Sequence, residues 1–139
     1  MPILSKNDTV YVLHVDRIKA GIKMELQKQT EQLKQHLINL RQKFETNDPP
    51  EDRRDKPFFL KTKEETLPIY QLLELWEEAA LNIVKERKVN VHPHQISSTK
   101  ENMELLLMHS YYIDVKRKRY MELYNSILYI FDQLLRELT

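Results

Sequence analysis

The 139-residue chain contains no cysteine. That absence removes disulfides, thiolate-bound zinc and thiol nucleophiles together, and fits a reducing compartment. Glycine is almost as scarce, with Gly21 the single example, so tight hairpins that need positive φ cannot be numerous and the fold class is expected to be all-α. No stretch approaches the roughly 18 uncharged apolar residues of a spanning helix, and Met1 to Asp8 holds no apolar run of signal-peptide length. The expectation is an intracellular chain without a membrane span. A net charge of +1 leaves no strong overall field. Phosphate-cradling glycine loops, Gly-x-Ser-x-Gly, His-Glu-x-x-His and acidic calcium loops are all missing. The carboxylate doublets Glu64-Glu65 and Glu77-Glu78 fall in a linker and on a polar helix face, where solvation explains them. No catalytic residue, cofactor or enzyme activity is expected.

What the chain does contain is helical periodicity, most plainly in its last forty residues. Alternating steps of three and four from Met103 through Leu106, Ser110, Ile113, Arg117, Tyr120, Tyr124, Ile127, Phe131, Leu134 and Leu138 form an unbroken heptad ladder. A repeat held this long keeps one seam facing a partner helix, the condition for coiled-coil-like or bundle packing. Ser98 and Glu101 stand at capping-box spacing, so the ladder predicts one helix over 98–138. Leu107, Met121, Leu123, Leu128, Ile130 and Leu135 flank the seam, and the second half, where five of them fall, must be covered from more than one direction.

A first helix is predicted over 9–44, capped by Asn7 or Asp8, with its stripe at Val15, Ile18, Ile22, Leu26, Leu33, Leu37, Leu40 and Phe44. Two successive steps of four at Ile18, Ile22 and Leu26 make a stutter. Val10 to Val15 is β-branched and aromatic enough for a short strand, the alternative to helix there. Residues 9–44 carry seven bases against three acids, or +4. Residues 45–65, with Pro49-Pro50 and mixed charge, read as a linker. Phe58-Phe59-Leu60 at its end is expected to pin it to the bundle or to a partner. A shorter helix follows over 68–88, capped by Thr66 with Pro68 in its first turn and anchored by Trp76, and residues 89–97 form a turn.

Two long helices and one short one imply an elongated three-helix arrangement within a single helical domain, part of a long helix remaining unpaired. Leftover apolar surface of that kind points to a protein-interaction module or small scaffold subunit that is homo- or hetero-oligomeric. By class analogy its setting is filament or ciliary machinery. The residues expected to carry association are Leu123, Ile127, Ile130, Phe131, Leu134 and Leu138, with Phe58 and Phe59 as a second contact. The alternative is an acidic-polymer binder, of nucleic acid or an acidic protein tail, acting through Lys116, Arg117, Lys118 and Arg119; that run also resembles a nuclear-localisation pattern, whereas the bland reading is a solvated belt. His92 and His94 could begin a metal site, but without cysteine the further ligands could come only from His14, His36, His109 or an acid; a Pro-stiffened interhelical turn explains the pair, and no metal is expected.

Overall fold

The computed structural model describes the backbone of residues 6–139, and side chains from residue 10 onward. Met1 to Ser5, part of the stretch without an apolar run of signal-peptide length, lies outside the described residues. Four helices and no strand form among the described residues: α1 Lys6–Thr46, α2 Lys56–Lys85, α3 Pro93–Tyr112 and α4 Arg117–Leu138. They run up, down, up and down. Each packs on its neighbours, α4 closes against α1, and α1 also meets α3 across the diagonal.

All-α holds, and the three-helix arrangement does not. The helix predicted over 98–138 is two helices folded back on each other at Ile113–Lys116. No glycine or proline marks the corner. Ile113 itself takes the left-handed conformation (φ 50°, ψ 46°) and its N–H closes on the His109 carbonyl, which is the usual geometry of a helix C-terminus. The His109 Nδ1–Asp114 Oδ1 contact of 2.7 Å holds the turn. The ladder crosses the corner without a phase change because both helices turn the same side to one core. In a continuous helix Ser110 and Tyr120 would stand about 15 Å apart; here Ser110 Oγ and the Tyr120 hydroxyl are 2.7 Å apart.

Other boundaries also move. The predicted linker 45–65 contracts to residues 47–55, because Asp55 accepts from the Phe58 N–H at 2.8 Å and caps α2 three turns early, with Pro57 in its first turn. Pro68 then lies inside α2. The helix survives the lost backbone bond because Thr62, Thr66, Ile69 and Leu73 are buried on either side of it. α3 starts at Pro93 rather than Ser98, since His92 Nδ1 accepts from the His94 N–H and Gln95 Oε1 accepts from the His92 N–H, a reciprocal cap built without serine. Val10 to Val15 is helical, so the strand alternative is set aside, and Asn7 and Asp8 lie within α1.

The core runs the length of the bundle. At its middle, fully buried Trp76 meets Phe131 edge-on (centroids 5.4 Å, 83°). At the end holding both the 47–55 and 113–116 loops, Phe44 stacks on Tyr120 at 3.8 Å. Two aromatic polar groups are satisfied in the same way. The Trp76 indole N–H donates to Thr30 Oγ1 at 3.0 Å, and the Thr30 hydroxyl donates to the Leu26 carbonyl at 2.7 Å. The Ser110 hydroxyl likewise donates to the Leu106 carbonyl at 2.7 Å, so the Tyr120 phenol is the donor to Ser110. Each relay joins two helices through one buried hydroxyl.

Candidate partner-binding surface

The helices do not match in length. At 1.5 Å per residue, α1 with 41 residues spans about 61 Å and α4 with 22 residues about 33 Å. Ile22 lines a groove with Ile83, Val89 and Leu138, the last helical residue of α4. Lys19 lines the same groove; the part of α1 before it runs past the end of the bundle, and Lys6 to Ile18 is about 18 Å of helix. Among the described residues, no hydrogen bond or ion pair joins residues 10–18 to another helix.

That projecting arm is not polar. Tyr11 is 69% exposed, Ile18 50% and Ile22 43%, and with partly buried Val15 they continue along α1 the line that becomes Leu26, Leu33 and Leu37 inside the core. Val10, Leu13 and Met24 are exposed on the opposite face, at 65%, 55% and 70%. Contiguous apolar surface at helical spacing marks an interaction site more often than singly scattered leucines do. By contrast, Leu60, Leu67 and Leu75 on the outer face of α2 are about half exposed but alternate with Glu64, Glu74 and Glu78, the pattern of a solvated face.

The residues expected to carry association lie elsewhere. Leu123, Ile127, Ile130, Phe131, Leu134 and Leu138 are all buried in the chain's own core. Their wide seam is covered by α1 and α3, which the single-helix reading of 98–138 had left unaccounted for. Phe58 is half-buried, edge-on to Tyr112 at 5.1 Å, while Phe59 is exposed. Lys116 to Arg119 are exposed around the first turn of α4, whose cap position Lys116 makes no side-chain cap. Arg117 reaches Glu45 of α1 at 3.3 Å, and Arg119 reaches Glu122 at 3.6 Å. Arg41, with Arg117 second, holds the Glu45 carboxyl below its ordinary value.

Titratable groups inside the bundle serve structure. Burial pushes the Tyr120 phenol up to about 12 and raises that of Tyr111, which donates to Glu65 at 2.7 Å. Both remain neutral donors at physiological pH. Burial lowers His36. No group of three or more His, Asp or Glu side chains comes together as a metal cage among the described residues, and His92 and His94 are used in the α3 cap. No helix among them is long and apolar enough to cross a membrane.

Tyr11, Val15, Ile18 and Ile22 are therefore the surface residues that the sequence reading underweighted. Two signals pointed at them: the length mismatch, and the stutter at Ile18, Ile22 and Leu26, which falls where α1 leaves the bundle.

Comparison with known proteins bears on the fold more than on the arm. A family model described as a bacterial domain of unknown function (DUF1798) matches residues 30–138, so the arm precedes the matched region. Uncharacterized protein YppE of Bacillus subtilis (strain 168) is 33% identical over 72 residues, 48% of this chain and 58% of that protein, so the aligned part spans less than two thirds of the relative. The crystal structure of B. subtilis protein yppE superposes with a TM-score of 0.68 at 24% identity, covering 83% of this chain and 93% of that one. The crystal structure of a protein of unknown function from Listeria innocua gives 0.66 at 19% identity, covering 86% and 94%. Likeness at these identities shows a shared fold. A family described as bacterial lends no support to the ciliary, cytoskeletal or nuclear settings. With its four-helix core matched from Thr30 to Leu138, the chain belongs to the bacterial domain family of unknown function DUF1798.

Proposed function

We propose that this chain is a non-enzymatic, intracellular helical interaction module that engages partner protein through the projecting arm of α1. The supporting observation is the arm itself: about 18 Å of helix before Lys19, whose apolar line is continuous with the core seam and whose residues Tyr11 and Ile18 are exposed. An isolated helix of that length is marginal in water, and a partner helix laid along it supplies the missing burial. The fully buried seam of α4 holds the bundle together and positions the arm's root beside Leu138.

Photo-crosslinking in the native host tests this. A benzophenone side chain at Tyr11 or Ile18 should give covalent protein adducts in living cells, and the same group at Tyr129, exposed on α4, should not. No adduct at either arm position would sink the reading. A second reading, an acidic-polymer binder, is favoured by one observation, the exposure of Lys116 to Arg119 around an uncapped helix N-terminus. It requires DNA or acidic-peptide binding that falls steeply with salt and is lost in Lys116→Glu/Lys118→Glu.

A further inference from the structure

The occupant of the arm can be specified further, on the reading that the arm is an interaction surface. We propose that it is the arm of a second copy of this chain, laid antiparallel, so that two bundles stand end to end about a two-fold axis between Asp16 and Arg17.

The spacing of the arm's seam carries this first. Tyr11, Val15, Ile18 and Ile22 are separated by steps of four, three and four, a series that reads the same in both directions. Antiparallel pairing therefore matches every rung: Tyr11 with Ile22 of the second copy, Val15 with Ile18, and the same two pairs again by symmetry. Such an isologous contact closes on itself. It is also continuous with the internal core. Tyr11 of the second copy arrives at Ile22, which borders the groove formed with Ile83, Val89 and Leu138, so the intermolecular seam would run on from the buried one.

The flanks agree with the antiparallel sense. On an α-helix, Val12 and Lys19 fall on one side of this seam, and His14 and Gly21 on the other. Antiparallel helices set like flank against like flank. Lys19 then lies across from Val12 of the second copy, with its stem on the valine and its ammonium in water, while His14 lies across from Gly21. Parallel pairing would instead set His14 against Lys19. Gly21 gains a reason at the same time. Glycine weakens a helix interior, and a Cβ built there meets nothing within 4 Å inside the chain, so no internal packing calls for it. Opposite the His14 ring of a second copy, the missing side chain is the space the ring occupies.

An arm pair overlapping over about 18 Å of helix is a small interface, below the ~1,200 Å² of standard complexes, so the dimer should dissociate in the micromolar range. Sedimentation of the full chain should show reversible monomer–dimer exchange. Val15→Asp/Ile18→Asp should raise the dissociation constant at least ~10-fold with helicity and thermal midpoint retained, since both positions lie beyond the bundle. The absence of cysteine makes the register directly readable. An equal mixture of Tyr11→Cys and Ile22→Cys chains should form a disulfide heterodimer under mild oxidation, while Tyr11→Cys alone should not, its two sulfurs standing about 16 Å apart along the axis. Self-linking of Tyr11→Cys would overturn the proposal in favour of a parallel pair. A strict monomer up to ~1 mM, beyond the range of weak specific interfaces, would overturn it outright. So would a dimer indifferent to Val15→Asp/Ile18→Asp. In each of these outcomes, crosslinked adducts from Tyr11 or Ile18 to other proteins would still uphold the interaction-module reading.

Discussion

Thr30→Val isolates one atom of the core. Thr30 and Trp76 are both 0% exposed, and the Trp76 N–H has Thr30 Oγ1 as its acceptor at 3.0 Å. Valine has the same shape and is also β-branched, so helix propensity and volume change little. The Leu26 carbonyl loses the hydroxyl but keeps the backbone N–H of residue 30 within α1. What remains is a buried indole N–H with no partner, which costs about 1–3 kcal/mol. For a chain of this size that lowers the thermal midpoint by about 4 °C per kcal/mol. Urea unfolding followed by circular dichroism measures the loss. The decisive comparison is a Trp76→Phe background, where no N–H is present to be orphaned and Thr30→Val should be close to neutral, giving a coupling of about 1–2 kcal/mol. An equal cost in both backgrounds, or a cost under about 0.5 kcal/mol in the parent, would refute the relay as an energetic unit.

The second relay should behave asymmetrically. Ser110→Ala strands the Tyr120 phenol and should cost about 1–3 kcal/mol, whereas Tyr120→Phe leaves the Ser110 hydroxyl on the Leu106 carbonyl and should cost less in the same urea assay. Pro68→Ala restores the backbone bond missing inside α2 and should raise stability by about 1–3 kcal/mol in denaturant titrations. His36 is half-buried and burial lowers its pKa below 6.5, so the fold favours the neutral ring. The stability it contributes is present above pH 6.5 and is lost as pH falls through the lower folded value. His36→Gln should flatten that part of the stability–pH curve, and an unchanged curve would assign the acid sensitivity elsewhere.

Much of the fold is legible in the sequence because seam periodicity reports burial directly. The α1 and α4 seams read from spacing alone are buried from Leu26 to Phe44 and from Tyr120 to Leu138, and Trp76 is the central anchor that its position on the α2 stripe suggested. The corner at Ile113 was not legible. A helix that reverses through one left-handed isoleucine loses neither periodicity nor apolar character, and no glycine or proline marks it. The α2 start was misplaced for a related reason: Pro68 is expected in a first turn by local preference, and tertiary burial of Thr62 and Thr66 on the turns before it overrides that preference. The candidate surface was half legible. Unequal helix lengths implied an unpaired segment, but splitting the C-terminal ladder in two moved that segment from the end of the chain to its beginning.

The corner at Ile113 has a consequence for how securely the chain is closed. Because the ladder keeps its phase from Met103 to Leu138, α3 and α4 would bury the same side chains whether bent back at residues 113–116 or extended as one rod. Only the bend brings α4 onto its own α1. In the extended setting α4 would complete the bundle of another molecule, with Ser110 and Tyr120 meeting across two chains, and exchange of that kind is a low-cost route to dimers. The length of a four-residue corner, more than the composition of the core, thus decides between a self-contained chain and an exchanged one. Substitutions that favour helix over those four residues, leaving their number and so the phase of the ladder unchanged, would tilt the chain toward the exchanged form.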